Sequence, residues 1–139
     1  MIVLDTSGLL SAIDSAQRHH RAAADALQRD PGPFVLSPLI LAELDYLLGT
    51  RVGVGAEISF LQEVAAGAYR LEPYGADDVT ETARLVARYR DLGLGAADAS
   101  IVVLAARHRT TRLLTLDERH FRAIRPLHGR AFRLLPLDR

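Results

Sequence analysis

Four carboxylates in this chain stand where solvation alone does not explain an acid. Asp5 closes the run Ile2-Val3-Leu4, and Glu43 interrupts the apolar stretch from Pro38 to Leu48. Asp98 stands among small neighbours in Gly95-Ala96-Ala97-Asp98-Ala99-Ser100, and Asp117 closes Leu113-Leu114-Thr115-Leu116. Each has an ordinary reading: Asp5 and Asp117 suit the cap of a following helix, Asp98 the positive end of one, and Glu43 or Asp45 a salt bridge with arginine. Glu43 fits its ordinary reading least well. Its neighbours predict burial, and an unpaired buried carboxylate costs several kcal/mol unless a cation, a metal or a cleft relieves it. Asp45, on another face of the same segment, is expected to be more easily solvated. If all four acids share a pocket they repel one another and need cations to stay ionised. Oxygen donors favour a hard ion, Mg²⁺ or Mn²⁺, whose usual partner is phosphate. Such an ion lowers the pKa of a bound water and polarises a phosphodiester.

What would bring these acids together is an alternation of short β-like runs with longer helical ones. The runs are Ile2 to Asp5, Phe34 to Ser37, a weak Tyr69 to Glu72, Arg112 to Leu116 and Phe132 to Leu135. Helical patterns are predicted over 7–14, 19–29, 38–49, 54–67, 76–91 and 96–109, with Ile58, Leu61 and Val64 or Ala65 on one stripe and Val79, Ala83, Val86 and Ala87 on another. Pro38 suits a first turn, and Gly49 and Gly93 are expected stops. Strands separated by helices pair in parallel, which predicts an α/β fold: a three-layer α/β/α sandwich around a mostly parallel five-stranded sheet. In such sheets ligands gather beyond the carboxyl ends of the strands. Asp5 and Asp117 end strands, and Glu43 and Asp98 lie on helices that can border the same edge.

Composition narrows the chemistry further. With no cysteine among 139 residues, thiol catalysis, Cys-ligated zinc, iron–sulfur clusters and disulfides are excluded. All 17 basic residues are Arg, so a P-loop lysine, a Schiff-base lysine and the lysine of phospho-receiver domains are excluded too. No apolar run is long enough for a membrane span, and the start carries no signal-peptide pattern, so a cytoplasmic protein with no membrane association is expected. The charge is balanced in sum but not along the chain. Residues 107–139 hold nine Arg against three acids, net +6, while residues 1–106 hold eight Arg against fourteen acids, net −6. This asymmetry suits an anionic partner or a solvated arginine face. His19, His20, His108, His120 and His128 show no pairing in the sequence, and surface or capping positions are expected for them.

The ordered set Val3-Leu4-Asp5-Thr6-Ser7, Ser37-Pro38 with Ala42-Glu43-Leu44, Ala97-Asp98-Ala99 and Leu114-Thr115-Leu116-Asp117 with Phe121 resembles a PIN domain, specifically the VapC-type ribonuclease toxins of bacterial toxin–antitoxin modules. Ala42-Glu43-Leu44-Asp45-Tyr46-Leu47 and Thr50-Arg51-Val52-Gly53-Val54 are most similar to actinobacterial members. The resemblance covers nearly the whole chain and implies one PIN-like domain over residues 1–139. It implies Asp5, Asp98 and Asp117 as ligands of Mg²⁺ or Mn²⁺, Glu43 as the remaining acid, and Thr6 and Thr115 as supports that orient carboxylates. It also implies endonucleolytic cleavage of RNA leaving a 5′-phosphate, with tRNA or the sarcin–ricin loop of ribosomal RNA as target and a single-stranded loop as substrate form. A homodimer and a cognate VapB-type antitoxin complete the expectation; no particular RNA-contacting arginine is singled out.

Three other readings make different demands. A metal-free ribonuclease would use histidine as acid and base and leave a cyclic or 3′-phosphate. A haloacid-dehalogenase-type phosphohydrolase would want a second Asp where Ser7 stands, and a lysine. A non-catalytic PIN-type module would keep the fold and bind only RNA or antitoxin.

Overall fold

The computed structural model describes residues 1–138; Arg139, one of the nine C-terminal arginines, lies outside them. Five strands form one parallel sheet: β1 (Ile2–Leu4), β2 (Phe34–Leu36), β3 (Arg70–Leu71), β4 (Arg112–Leu114) and β5 (Arg133–Leu135), in the order β3-β2-β1-β4-β5. The helices are α1 (Thr6–Ile13), α2 (His20–Arg29), α3 (Pro38–Leu47), α4 (Val54–Ala65), α5 (Ala76–Arg88), α6 (Ala96–Arg107) and the short α7 (Glu118–Phe121). All three residues of β1 are fully buried, as are the last two of β2 and β4. Alternate strand residues face opposite sides, so this burial requires cover on both faces of the sheet. The α/β sandwich expected from the sequence is the fold observed. Among the described residues no helix is long and apolar enough to cross a membrane.

The chain runs from β1 outward through β2 to β3, and later returns to place β4 on the other side of β1. Strand order therefore reverses beside β1, and the β1–β4 crevice opens at its carboxyl end, where such sheets bind ligands. Register aligns the edge: Val3 pairs with Leu113 and Leu4 with Leu114, so Asp5 and Thr115 emerge side by side. Gly8 makes this approach possible. A Cβ there would lie 2.4 Å from the Leu114 carbonyl oxygen, so any larger residue would push α1 off β4. At the end of β2, the Ser37 side chain caps α3 by accepting from the Leu39 N–H, and its hydroxyl lies 2.7 Å from that of Ser100 on α6. This contact ties the start of α6 to the same edge.

Three details differ from the sequence reading. Gly49 does not stop α3; the chain continues through a π-helical turn, Leu48–Val52, because Leu48 is fully buried and Gly53, at φ 145°, makes the break instead. Gly93 is the left-handed stop expected of it. The stripe on α4 faces outward: Ile58 and Leu61 are exposed, while Phe60 reaches the core. On α5 Thr82 and Leu85 are buried against α6, leaving Val79, Ala83 and Ala87 exposed.

Candidate active site

At the end of β1 the Asp5 carboxylate is 3% exposed and is gripped from three sides. The Thr6 N–H donates to Oδ1 at 2.8 Å, while the Thr115 and Ser7 hydroxyls donate to Oδ2 at 2.6 and 2.9 Å. Burial pushes this carboxyl above its ordinary range; the three hydrogen bonds oppose the shift and the nearby Asp117 charge adds to it. Thr115 also accepts from the Asp117 N–H at 2.9 Å, and Ser7 from the Leu116 N–H at 3.0 Å. One hydroxyl pair thus locks the turn after β4 to the turn after β1.

Asp117 is a helix cap and more. Its Oδ1 accepts from the His120 N–H at 3.0 Å, and its Oδ2 lies 2.7 Å from His120 Nδ1. Asp98, in the first turn of α6, has neither an arginine nor a hydrogen-bond donor among the described residues. Its pKa is pushed up to about 6, chiefly by burial and next by the Asp5 charge; His120 opposes the shift, and Asp117 and Glu43 add to it. Asp5, Glu43, Asp98 and Asp117 line one cavity of about 390 Å³, with Thr6, Ser7, Gln17 and Arg51 also on its wall. The four predicted acids meet, and among the described residues none is paired with an arginine.

Several expectations need correction. Glu43 is exposed rather than buried, because the buried stripe of α3 is Ile40, Leu44 and Leu48, and Glu43 falls outside it at the mouth of the cavity. Asp45 is the acid that lost solvent: one of its oxygens is buried without a partner, and the carboxyl of Glu57 is raised by its proximity. The Thr6 hydroxyl orients no carboxylate; only its backbone N–H reaches Asp5, and Oγ1 is buried without a partner. Histidine pairing was invisible in the sequence, yet His120 meets Asp117 and His108 meets Glu72. The sequence alone does not single out Ser7, Gly8, Arg51 or His120 as parts of the site. The signals available were spacing ones: a hydroxyl two residues after Asp5, and Asp-x-x-His, which folds an imidazole back over the capping carboxylate within one helical turn.

The donor set suits a divalent cation. One ligand atom each from Asp98, Asp117 and His120 lies within 4.8 Å of the others, and Thr6, whose hydroxyl is buried without a partner, belongs to the same cavity wall. Two carboxylates with no guanidinium to neutralise them fit a hard ion, and an imidazole beside them widens the choice toward Mn²⁺.

The chain matches the PIN domain family over residues 2–126. It is 46% identical over 135 residues to Ribonuclease VapC26 of Mycobacterium tuberculosis, covering 97% of this chain and all of that one. The chain belongs to the VapC family of PIN domains. Among solved structures, this VapC protein is similar to Mycobacterium tuberculosis VapC20, described as a sarcin–ricin loop cleaving toxin, with a TM-score of 0.79 at 19% identity over 85% of this chain and 91% of that one. It also resembles FitAcB from Neisseria gonorrhoeae, with a TM-score of 0.52 at 19% identity over 79% and 84% of the two chains. At that identity both structures bear on the fold alone. The VapC fold is what carries the four acids to one sheet edge.

Proposed function

We propose that this VapC protein is a Mg²⁺- or Mn²⁺-dependent endoribonuclease toxin of a toxin–antitoxin module. The observation that carries the reading is the convergence of Asp5, Glu43, Asp98 and Asp117, from four separate segments, in one cavity with no arginine partner among the described residues. Asp98 and Asp117 would hold the ion, with Asp5 beside them. When bound, the ion supplies Lewis-acid stabilisation of the phosphate oxygens and a more acidic water. Asp5 is oriented by Thr115 and Ser7, so its free lone pairs face a fixed direction. His120 holds Asp117 in place. Glu43, which lines the cavity, would orient the attacking water. Attack on phosphorus expels the 3′-oxygen of the preceding nucleotide, leaving a 5′-phosphate and a 3′-hydroxyl.

RNA is the proposed substrate, in a single-stranded loop of tRNA or ribosomal RNA, where unstacked nucleotides can enter the cavity. A VapB-type antitoxin is the proposed inhibitor, and a homodimer the proposed assembly. The exposed apolar residues Val54, Ile58 and Leu61 on α4 and Val79 on α5 are the kind of surface such partners cover. The test is to purify the chain free of antitoxin, incubate it with tRNA and ribosomal RNA in Mg²⁺ or Mn²⁺, and compare Asp98→Asn. Cleavage that needs metal, leaves 5′-phosphate ends and vanishes in the variant supports the reading. Cyclic-phosphate ends, or cleavage that survives chelation, would replace it with histidine chemistry; no cleavage of any RNA would favour a binding module.

A further inference from the structure

We propose that Arg51 is the substrate-positioning residue of this cavity, holding an anionic phosphate oxygen of the RNA backbone at its mouth. This rests on the nuclease reading above and adds to it a residue with no counterpart among the acids. Among the described residues Arg51 is the one cationic side chain on a wall that carries four carboxylates. Arg70, Arg84, Arg107, Arg112 and Arg122 form ion pairs with carboxylates; Arg51 is among the arginines that form none with the described residues, and it is the one of these that lines the set of four acids. It is exposed, so its guanidinium remains available to an anion arriving from solvent.

Backbone geometry puts Arg51 there. Glu43, Leu47 and Arg51 are spaced by four, and all three line the cavity. In an uninterrupted α-helix each residue turns about 100°, so two four-residue steps would carry Arg51 about 80° away from the Glu43 stripe. The π-helical turn over Leu48–Val52 winds more residues into each turn and takes back much of that drift. Its backbone is fixed. The Gly53 N–H donates to the Leu48 carbonyl at 2.8 Å, the Thr50 hydroxyl donates to the Tyr46 carbonyl at 2.8 Å, and Leu48 is fully buried. Gly53, at φ 145°, then turns the chain into α4. The attachment point is thus held by hydrogen bonds and by core packing.

The electrostatic need is specific. A cavity of carboxylates repels a phosphodiester even when a cation neutralises part of its charge, and a guanidinium at the entrance offsets that repulsion where the next phosphate of the strand must lie. Its planar fork can donate two parallel hydrogen bonds to one phosphate, which a lysine ammonium cannot reproduce.

Two measurements test this. In the Asp98→Asn background, which removes cleavage, binding of a fluorescein-labelled random-sequence RNA is followed by anisotropy over a series of salt concentrations, with and without Arg51→Ala. The expected result is weaker binding by about tenfold and a log–log salt slope shallower by about 0.7, the loss of one single-strand phosphate contact. In the otherwise native protein, Arg51→Ala is expected to raise KM about tenfold with a smaller change in kcat, Arg51→Lys to recover part of the loss, and Mn²⁺ affinity and melting temperature to stay at the parent values. Unchanged RNA affinity and salt slope would overturn the proposal, as would loss of Mn²⁺ binding in Arg51→Ala. Because the binding experiment needs no catalysis, it decides the role of Arg51 even if the parent cleaves nothing and the nuclease reading falls.

Discussion

Glu72, just after edge strand β3, is 6% exposed and is met by Arg70 at 3.5 Å, Arg107 at 3.7 Å and His108; Asp5, after central strand β1, is 3% exposed and is met only by two hydroxyls and an amide. The two acids are equally removed from water and are answered in opposite ways. Around Glu72 the chain supplies its own cations, and Arg107 extends the network to Asp78 at 2.9 Å. Around Asp5 it supplies dipoles that orient the carboxylate, and then adds Asp98 and Asp117 nearby, which worsens the charge. The physical consequences diverge. At Asp138 the Arg122 guanidinium holds the carboxyl down at about 2, whereas burial and its neighbours push Asp98 up to about 6. In a chain with 17 arginines, an acidic cavity that recruits none of the described ones as an ion-pair partner leaves room for a cation from outside.

Substitutions on the two sides should therefore fail differently. The largest effect is expected from Asp98→Asn, which should reduce RNA cleavage by about a thousandfold or more, an amount ordinary for losing a group that acts on the reacting centre. Its effect on stability runs the other way. Because the folded Asp98 carboxyl lies at about 6, above the ordinary 3.8, folding takes up protons there. The Asp98 contribution to the stability of the metal-free parent is then fully present below about pH 4 and is lost as pH rises through about 6. Melting temperatures recorded across that range in chelator should fall with pH in the parent and fall less in Asp98→Asn. A parent whose melting temperature rises through this window would break the contrast between the two regions.

A smaller loss is expected from Thr115→Val, which keeps the side-chain shape but removes the 2.6 Å donor to Asp5 and the acceptor of the Asp117 N–H. Loss of such an orienting contact costs about 10- to 100-fold in activity or metal affinity, and both can be measured on the same preparation. On the paired side, Arg107→Ala strips Asp78 and Glu72 of a cation and should destabilise the fold by about 1–3 kcal/mol in urea denaturation. RNA cleavage per folded molecule should stay at the parent level. The smallest effect belongs to Asp138→Asn. The ordinary carboxyl value is 3.8 and the folded one about 2, so the pair with Arg122 contributes fully above about pH 4 and is lost only as pH falls through 2. The variant should match the parent near neutrality except for a slight loss in melting temperature.

Much of this contrast is written in the sequence at the level of placement. Asp5 and Asp117 each follow a short apolar run and precede a cap-like pattern, and that is enough to put them at strand ends; Asp98 follows Gly95 into a helix of small residues. Side-chain environment is another matter. The apolar stretch around Glu43 suggested burial, but α3 buries only one stripe, and the acid two residues along, Asp45, took the half-buried position. The role of Gly8 is not legible in the sequence because what it touches, the Leu114 carbonyl, is more than a hundred residues away. The π-helical turn left no trace either, since it depends on Leu48 finding the core and on Gly53 being free to adopt a positive φ. A histidine three residues after an aspartate reads as surface in the sequence; the capping geometry is what folds His120 back onto Asp117.

The most direct test of the account is Mn²⁺ titration of the purified, antitoxin-free chain, followed by electron paramagnetic resonance near neutral pH. The account predicts saturable binding in the parent that is lost in Asp98→Asn and Asp117→Asn and kept in Arg107→Ala. Equal binding by the parent and both aspartate variants, or no binding by the parent, would contradict it.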